Sequence, residues 1–314
     1  MNDVLMTTLG QMVVLFALIF IGYLLAKLKA VPENSSTVLS KLENNLFVPA
    51  LVLGTFIEYF TIEKISVAWK LLLVSLVICL VMMGVSVLIA KCCSKDQFIQ
   101  NIYTYGLAFS NFGFMGNAVV KAVFPEIFLE YLIFTLPLWT MIYLWGVPCL
   151  LIPSEGEKQT MKSRLKSFAN PMFAAMIIGI IIGLSGLKLP APVLTVVTTA
   201  GNCMSPIAML LTGITVAQMN VKKILSMKSI YVVSAVRLLA FPLLFIGIFM
   251  LVPMNETIRV CTICSLAMPL GLSTIVVPSG YGKDTSVAAG MTIVSHLLSA
   301  LTIPMMFYLM MNVL

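Results

Sequence analysis

Leu107-Ala108-Phe109-Ser110-Asn111-Phe112-Gly113-Phe114-Met115-Gly116-Asn117 stands inside an uncharged run that extends from residue 97 to 120. A membrane span needs about 20 residues, and this run has them. Its centre is nevertheless poor in helix formers, because Ser, Asn and Gly bond locally or favour non-helical backbone. A second apolar run, 260–282, carries Ala267-Met268-Pro269-Leu270-Gly271-Leu272-Ser273-Thr274, where a proline followed two residues later by glycine breaks a helix. Gly113-x-x-Gly116 does not have the small-xxx-small spacing of tight helix packing, so both glycines are read as part of the break. Two interrupted spans in corresponding places predict a membrane protein whose binding site lies at the breaks. Helix N-termini there would present free N–H groups to an anion.

The rest of the chain agrees with a membrane fold. Of 314 residues, 60% are hydrophobic and 10% charged, and mean hydropathy is +1.07. A soluble domain carries about 25% charged residues, so a water-facing globule is excluded. The net charge of +7 comes from residues scattered between apolar runs, which excludes a nucleic-acid surface. The seven cysteines, Cys261-x-x-Cys264 included, read as small packing residues rather than a disulfide framework or metal set. No basic segment precedes Lys27, so the N-terminus reads as a first span and not a cleaved signal. Uncharged stretches mark nine spans, and 44–57 makes a tenth if Lys41 and Glu43 snorkel at the interface. Alternate loops then hold thirteen Lys and Arg, from Lys27 to Lys283, against five (Lys64, Lys70, Lys121, Lys188 and Arg259). That bias predicts a multi-pass protein of the plasma membrane with both termini outside.

Ten spans divide into residues 1–153 and 169–314, joined by a basic cytoplasmic linker at 154–168. Five spans per half force the second half upside down. Local matches support this: Asn45-x-x-x-Pro49 in helix 2 recurs 157 residues later as Asn202-x-x-x-Pro206 in helix 7. Each proline frees the carbonyl four residues back, beside an amide side chain. The predicted fold is an all-α membrane protein of ten helices, two inverted five-helix repeats, with broken helices 4 and 9 crossing. Arg237 in helix 8 and His296 in helix 10 are ionisable groups inside spans, with a charge or coupling role as the functional expectation. Arg237 would equally serve freed carbonyls near Pro242, and His296 would equally serve as a packed neutral side chain.

In these residues the chain resembles the auxin efflux carrier family, whose bacterial members are often called malate permease-like. The matching features are Ser110-Asn111-x-Gly113-x-x-Gly116, Ala267-Met268-Pro269, Tyr281-Gly282-x-Asp284, Arg237-Leu-Leu-x-x-Pro242, Asn170-Pro171 and Pro304, over essentially the whole chain. The resemblance implies crossing helices 4 and 9, an organic carboxylate substrate and Asn111 as a carboxylate contact. The chain departs from the family at Ser110, where plant members have proline. Asn117 and Ala118 stand where a second proline is usual, and His296 where a small hydroxyl residue is usual. The long loop of some plant carriers is absent. These departures turn the expectation from auxin itself to carboxylates in general.

The sequence therefore predicts a secondary transporter of a small organic anion such as malate or an auxin-like acid, working by alternating access. The expected site comprises Asn111, Ser110, Gly113, Gly116, Pro269, Gly271, Asn45, Pro49, Asn202 and Pro206. Expected partners are the carboxylate, the bilayer and a coupling proton or sodium ion, with a homodimer one option; no metal, cofactor, nucleic acid or enzymatic constellation is expected. The alternatives are a proton- or sodium-coupled symporter of the same fold and a ligand sensor without flux.

Overall fold

A computed structural model describes residues 2–152, 170–220, 222 and 225–313. The linker expected at 154–168 lies outside the described residues. Among them the chain is helical, without a strand beyond one isolated bridge. In chain order the helices are α1 (Asn2–Lys27), α2 (Ser35–Leu42), α3 (Val48–Tyr59), α4 (Ile62–Cys93), α5 (Gln97–Ala108), α6 (Asn117–Val123) and α7 (Phe128–Met141). There follow α8 (Pro171–Ser185), α9 (Ala191–Asn202), α10 (Met204–Gln218), α11 (Lys228–Ala235), α12 (Phe241–Leu251), α13 (Glu256–Leu266), α14 (Ser273–Gly280) and α15 (Ser286–Val313).

Several of these join end to end. Among the described residues, five continuous helices are long and apolar enough to cross a membrane: Ile62–Cys93, Pro125–Leu151, Ala191–Gln218, Lys228–Leu251 and Ser286–Val313. Met12–Lys27, Phe112–Val123 and Pro171–Ser185 are shorter apolar helices. The stretches expected as helices 2, 4 and 9 are interrupted, which is why length alone does not mark them. Large apolar side chains such as Val67, Leu73, Leu88, Ile181, Leu251 and Leu301 point outward, a surface suited to lipid and not to water.

Proline shapes the interruptions. Wide π turns occupy Glu43–Phe47, just before Pro49, and Val236–Ala240, just before Pro242; a third, Ile142–Leu151, contains Pro148. The proline cannot donate to the carbonyl four residues back. The preceding N–H groups reach one residue further instead, Val48 to the Glu43 carbonyl and Phe241 to the Val236 carbonyl. One consequence corrects the sequence reading. Glu43, expected to snorkel at the interface, is fully buried within its π turn.

Packing follows small residues. α1 runs along α10, and α3 lies against α8 and α9. A Cβ on Gly22 would fall on the Leu210 carbonyl, and one on Gly213 on the Ile19 carbonyl. These backbones approach so closely that only glycine fits. Gly213→Ala is expected to lower the thermal midpoint in detergent, by the equivalent of about 1–3 kcal/mol of overpacking. Gly247→Ala in α12, where a Cβ meets nothing within 4 Å, should leave it unchanged or raise it. Equal midpoints for the two variants would contradict this packing.

Candidate functional site

The two broken helices meet at their breaks. α5 ends at Ala108, the backbone turns extended at Phe109, and a π turn restarts at Phe112 and runs into α6. α13 ends at Leu266, and α14 restarts at Ser273. In the gap, Ser110 and Leu270 form an antiparallel bridge, and the Asn111 N–H donates to the Pro269 carbonyl at 2.8 Å. The crossing expected from sequence is thus present as a backbone contact. The break in helix 4 lies at Phe109–Asn111, however, and not at the glycines. Gly113 and Gly116 fall in the restarted π turn, where a Cβ would strike Trp139 and the Tyr131 hydroxyl respectively. They are close-approach residues, so the packing role set aside on spacing grounds is the one the structure gives them. Gly271 is another: its Cβ would lie 2.7 Å from the Phe109 carbonyl oxygen of the crossing strand.

Every helix end buried in a membrane protein must find partners for its free backbone groups. Here Arg237 supplies them. Its Nη1 donates to the Leu107 carbonyl at 2.9 Å, its Nη2 to the Ser265 carbonyl at 3.0 Å, and its Nε to the Met268 carbonyl at 3.2 Å. One guanidinium therefore closes the C-terminal ends of α5 and α13 and places a cation at both negative dipole ends. The Ser110 hydroxyl adds a second bond to the Ser265 carbonyl at 2.7 Å. Arg237 is 1% exposed, and the cavity beside it, lined by Cys79, Ala108 and Leu266 among others, is about 10 Å³, room for one water at most. Its three donor nitrogens serve the breaks, not the backbone near Pro242.

Asn111 is equally committed. Its Oδ1 accepts from the Met115 N–H at 3.2 Å, capping the restarted helix. Its Nδ2 lies 2.8 Å from His296 Nε2, and His296 Nδ1 lies 2.8 Å from the Thr292 carbonyl. A carbonyl only accepts, so Nδ1 carries the proton; Nε2 must then accept from the Asn111 amide. The ring is a neutral imidazole that holds Asn111 in one orientation. A protonated ring would set two donors face to face.

A cavity borders this centre on another side. A cavity of about 380 Å³ separates α3, on one wall, from the restarted helix 4 and α7, on another, with α9 and α10 completing it. Its inner part reaches Gly113, Phe114 and Asn117, next to the break, and its mouth carries Glu58 and Lys121. Asn202 and Ser205 line it where α9 gives way to α10. Of the residues expected from sequence, this cavity brings together Gly113 and Asn202. Ser110, Asn111, Pro269 and Gly271 lie outside its lining in the crossover, Gly116 in the restarted π turn, and Arg237 and His296 against the crossover. Asn45 is exposed and donates to the Lys41 carbonyl of its own helix at 2.7 Å, and Pro206 is also exposed; neither these nor Pro49 line the cavity. Asn117, Ser205 and Lys121 were not expected. Asn117 was visible in sequence only as a departure from the family pattern; its Oδ1 is buried without a hydrogen-bond partner beside the cavity.

Apolar helices that cross at paired breaks beside a cavity of mixed apolar and polar lining suit a membrane transport protein. The chain belongs to the membrane transport protein family that includes the auxin efflux carriers: the family model matches residues 7–307. It is also 24% identical over 293 residues to an uncharacterized transporter of Methanothermobacter thermautotrophicus (strain Delta H), covering 92% of this chain and 93% of that one.

Arg237→Met would leave the Leu107 and Met268 carbonyls without this donor and the Ser265 carbonyl with the Ser110 hydroxyl alone. An unsatisfied buried group costs about 1–3 kcal/mol, so a large drop in thermal midpoint is expected, with Arg237→Lys intermediate. A parent-like midpoint for Arg237→Met would show that the guanidinium does not hold the breaks.

Proposed function

We propose that the chain is a secondary transporter of small organic carboxylates, with the cavity between α3 and the restarted helix 4 as its substrate site. The observation that carries this reading is the cavity's lining. It is too small for a macromolecule and of the size that small-ligand sites have. It combines apolar walls with amide and hydroxyl groups (Asn117, Asn202, Ser205, Thr55 and Thr198) and a lysine, Lys121, at the mouth. Amide N–H, hydroxyl and ammonium groups are the donors a carboxylate needs, and a cation at the entrance raises the local concentration of an anion.

Asn111 takes part from behind. Its carbonyl oxygen and one amide proton are occupied, which leaves a second amide proton for a carboxylate that reaches the break. Ser110, Gly116, Pro269, Gly271 and Pro49 shape the backbone on which this depends. In this reading ten helices form two inverted halves of five. The α3–α8–α9 and α1–α10 group is a frame, and the crossing helices, fixed to one another by Arg237, move against it as a body. The positive-inside bias puts Glu58 and Lys121 on the outer face, so this form is open outward. His296, as a neutral acceptor, supports Asn111 and has a coupling role only if the ring titrates during the cycle.

The test is counterflow of labelled malate, with a panel of other mono- and dicarboxylates, in proteoliposomes. Saturable exchange is expected. Lys121→Gln should raise KM several-fold while leaving the maximal rate near the parent's, and Asn111→Ala should abolish exchange in folded protein. Saturable binding without exchange would select a sensor, and normal exchange by Asn111→Ala would remove the crossover from the site.

A further inference from the structure

The first half of the chain contains a buried acid that the cavity does not use. Glu43 is fully buried, and both of its carboxyl oxygens are without a hydrogen-bond partner. The helices packed on its π turn offer no countercharge. Among the described residues, α8, α9, α10 and α14 contain no Asp, Glu, Lys, Arg or His; α2 contributes exposed Lys41, and α3 contributes Glu58 and Tyr59 at its far end. Directly next in sequence to these helix ends stand Cys203, between α9 and α10, and exposed Tyr281, after α14. An isolated carboxylate in such a place costs several kcal/mol, and the group takes a proton instead.

The surroundings of Glu43 are a contact between the two halves. Ser40, one turn before it, donates its hydroxyl to the Val276 carbonyl. Asn44, the next residue, donates its amide to the same carbonyl at 3.1 Å and lies 3.5 Å from that of Val277. Both carbonyls lie near the C-terminal end of α14, and Val277 begins its last four residues, whose carbonyls have no N–H four residues on within the helix. Gly280 is needed there because a Cβ would press on the Asn44 amide and the Ser40 hydroxyl. This latch lies toward the start of helix 2, away from Glu58 at the cavity mouth and about 15 Å along the same helix from Gly54 in the cavity wall at a rise of 1.5 Å per residue.

We infer that Glu43 is a proton-binding site that ties closure of the α2–α14 latch to proton uptake from the side the latch closes. With the latch shut, water is excluded and the side chain is a carboxylic acid. When α14 draws away, water reaches the carboxyl, which releases its proton to that compartment and is stabilised as the anion. The latched form therefore binds one proton more than the opened form. Linkage fixes the sign: lowering pH on that side favours the latch, and raising pH favours opening. A sodium ion is the poorer occupant, since it requires several oxygens at once. Among the described side chains of this turn, the Glu43 oxygens and the Oδ1 of Asn44 are the ones buried without partners. The inference builds on the alternating-access reading, but its test does not depend on flux.

The experiment is amide hydrogen exchange of residues 273–280 and 35–44 in the purified full-length protein across pH, corrected for intrinsic exchange, with and without sodium. In the parent, protection should fall several-fold as pH rises. Glu43→Gln, a neutral side chain of the same shape, should stay protected at every pH. Infrared spectroscopy at neutral pH should show a carboxylic-acid carbonyl band that Glu43→Gln lacks, and Glu43→Asp, retained if Gln fails to insert, should shift it. Parent protection that does not change with pH overturns the inference, as does a pH response kept in Glu43→Gln or an infrared band unchanged by it. High-pH protection restored by sodium would assign the site to a metal cation and overturn it likewise. Malate exchange failing while these results hold would sink the substrate reading alone.

Discussion

The structure depends on one guanidinium. Two helices stop inside the membrane, each leaving carbonyls that lipid cannot satisfy. Arg237 bonds Leu107 at the end of one, and Ser265 and Met268 at the end of the other. A charge in the membrane is costly unless paired. Here the pairing is with two helix dipoles and three carbonyls, so the cost of the charge and that of the broken helices offset one another. Without this residue the crossover would be held by the Asn111–Pro269 backbone contact and the Ser110 hydroxyl on the Ser265 carbonyl, with the Leu107 and Met268 carbonyls left without their guanidinium donor.

The crossover in turn fixes what surrounds it. Gly271 is needed because the Phe109 carbonyl passes over it, and Gly113 because Trp139 does. Asn111 caps the restarted helix 4 and is held by a neutral His296. The restarted segment is thereby aimed so that Gly113, Phe114 and Asn117 face the cavity.

Much of this was legible in the residues. The all-helical apolar character, the existence of the two breaks and the ionisable groups at 237 and 296 follow from hydropathy and from the local chemistry of Pro, Gly, Ser and Asn. The partners of Arg237 did not, because all three carbonyls lie at least 28 residues from it in sequence. The residues of the cavity wall were harder still. Lys121 reads as one more loop charge and Asn117 as a deviation, since which side chains converge depends on how helices 2, 4 and 7 are placed. Asn45 illustrates the reverse error: a repeat of spacing identified a backbone feature, the proline-induced turn, and not the direction of the amide beside it. Glu43 was assigned to the interface by its position near a span end, whereas the π turn rotates it inward.

The central claim, that a carboxylate binds between the frame and the restarted helix 4, is tested most directly by an experimental structure of the protein in a bilayer mimetic with saturating malate. The account predicts density in the cavity bounded by Gly54, Gly113, Asn117, Asn202 and Ser205, with a carboxylate toward Asn117 and the break. Malate bound at another place, with this cavity filled by side chains or lipid, would contradict it.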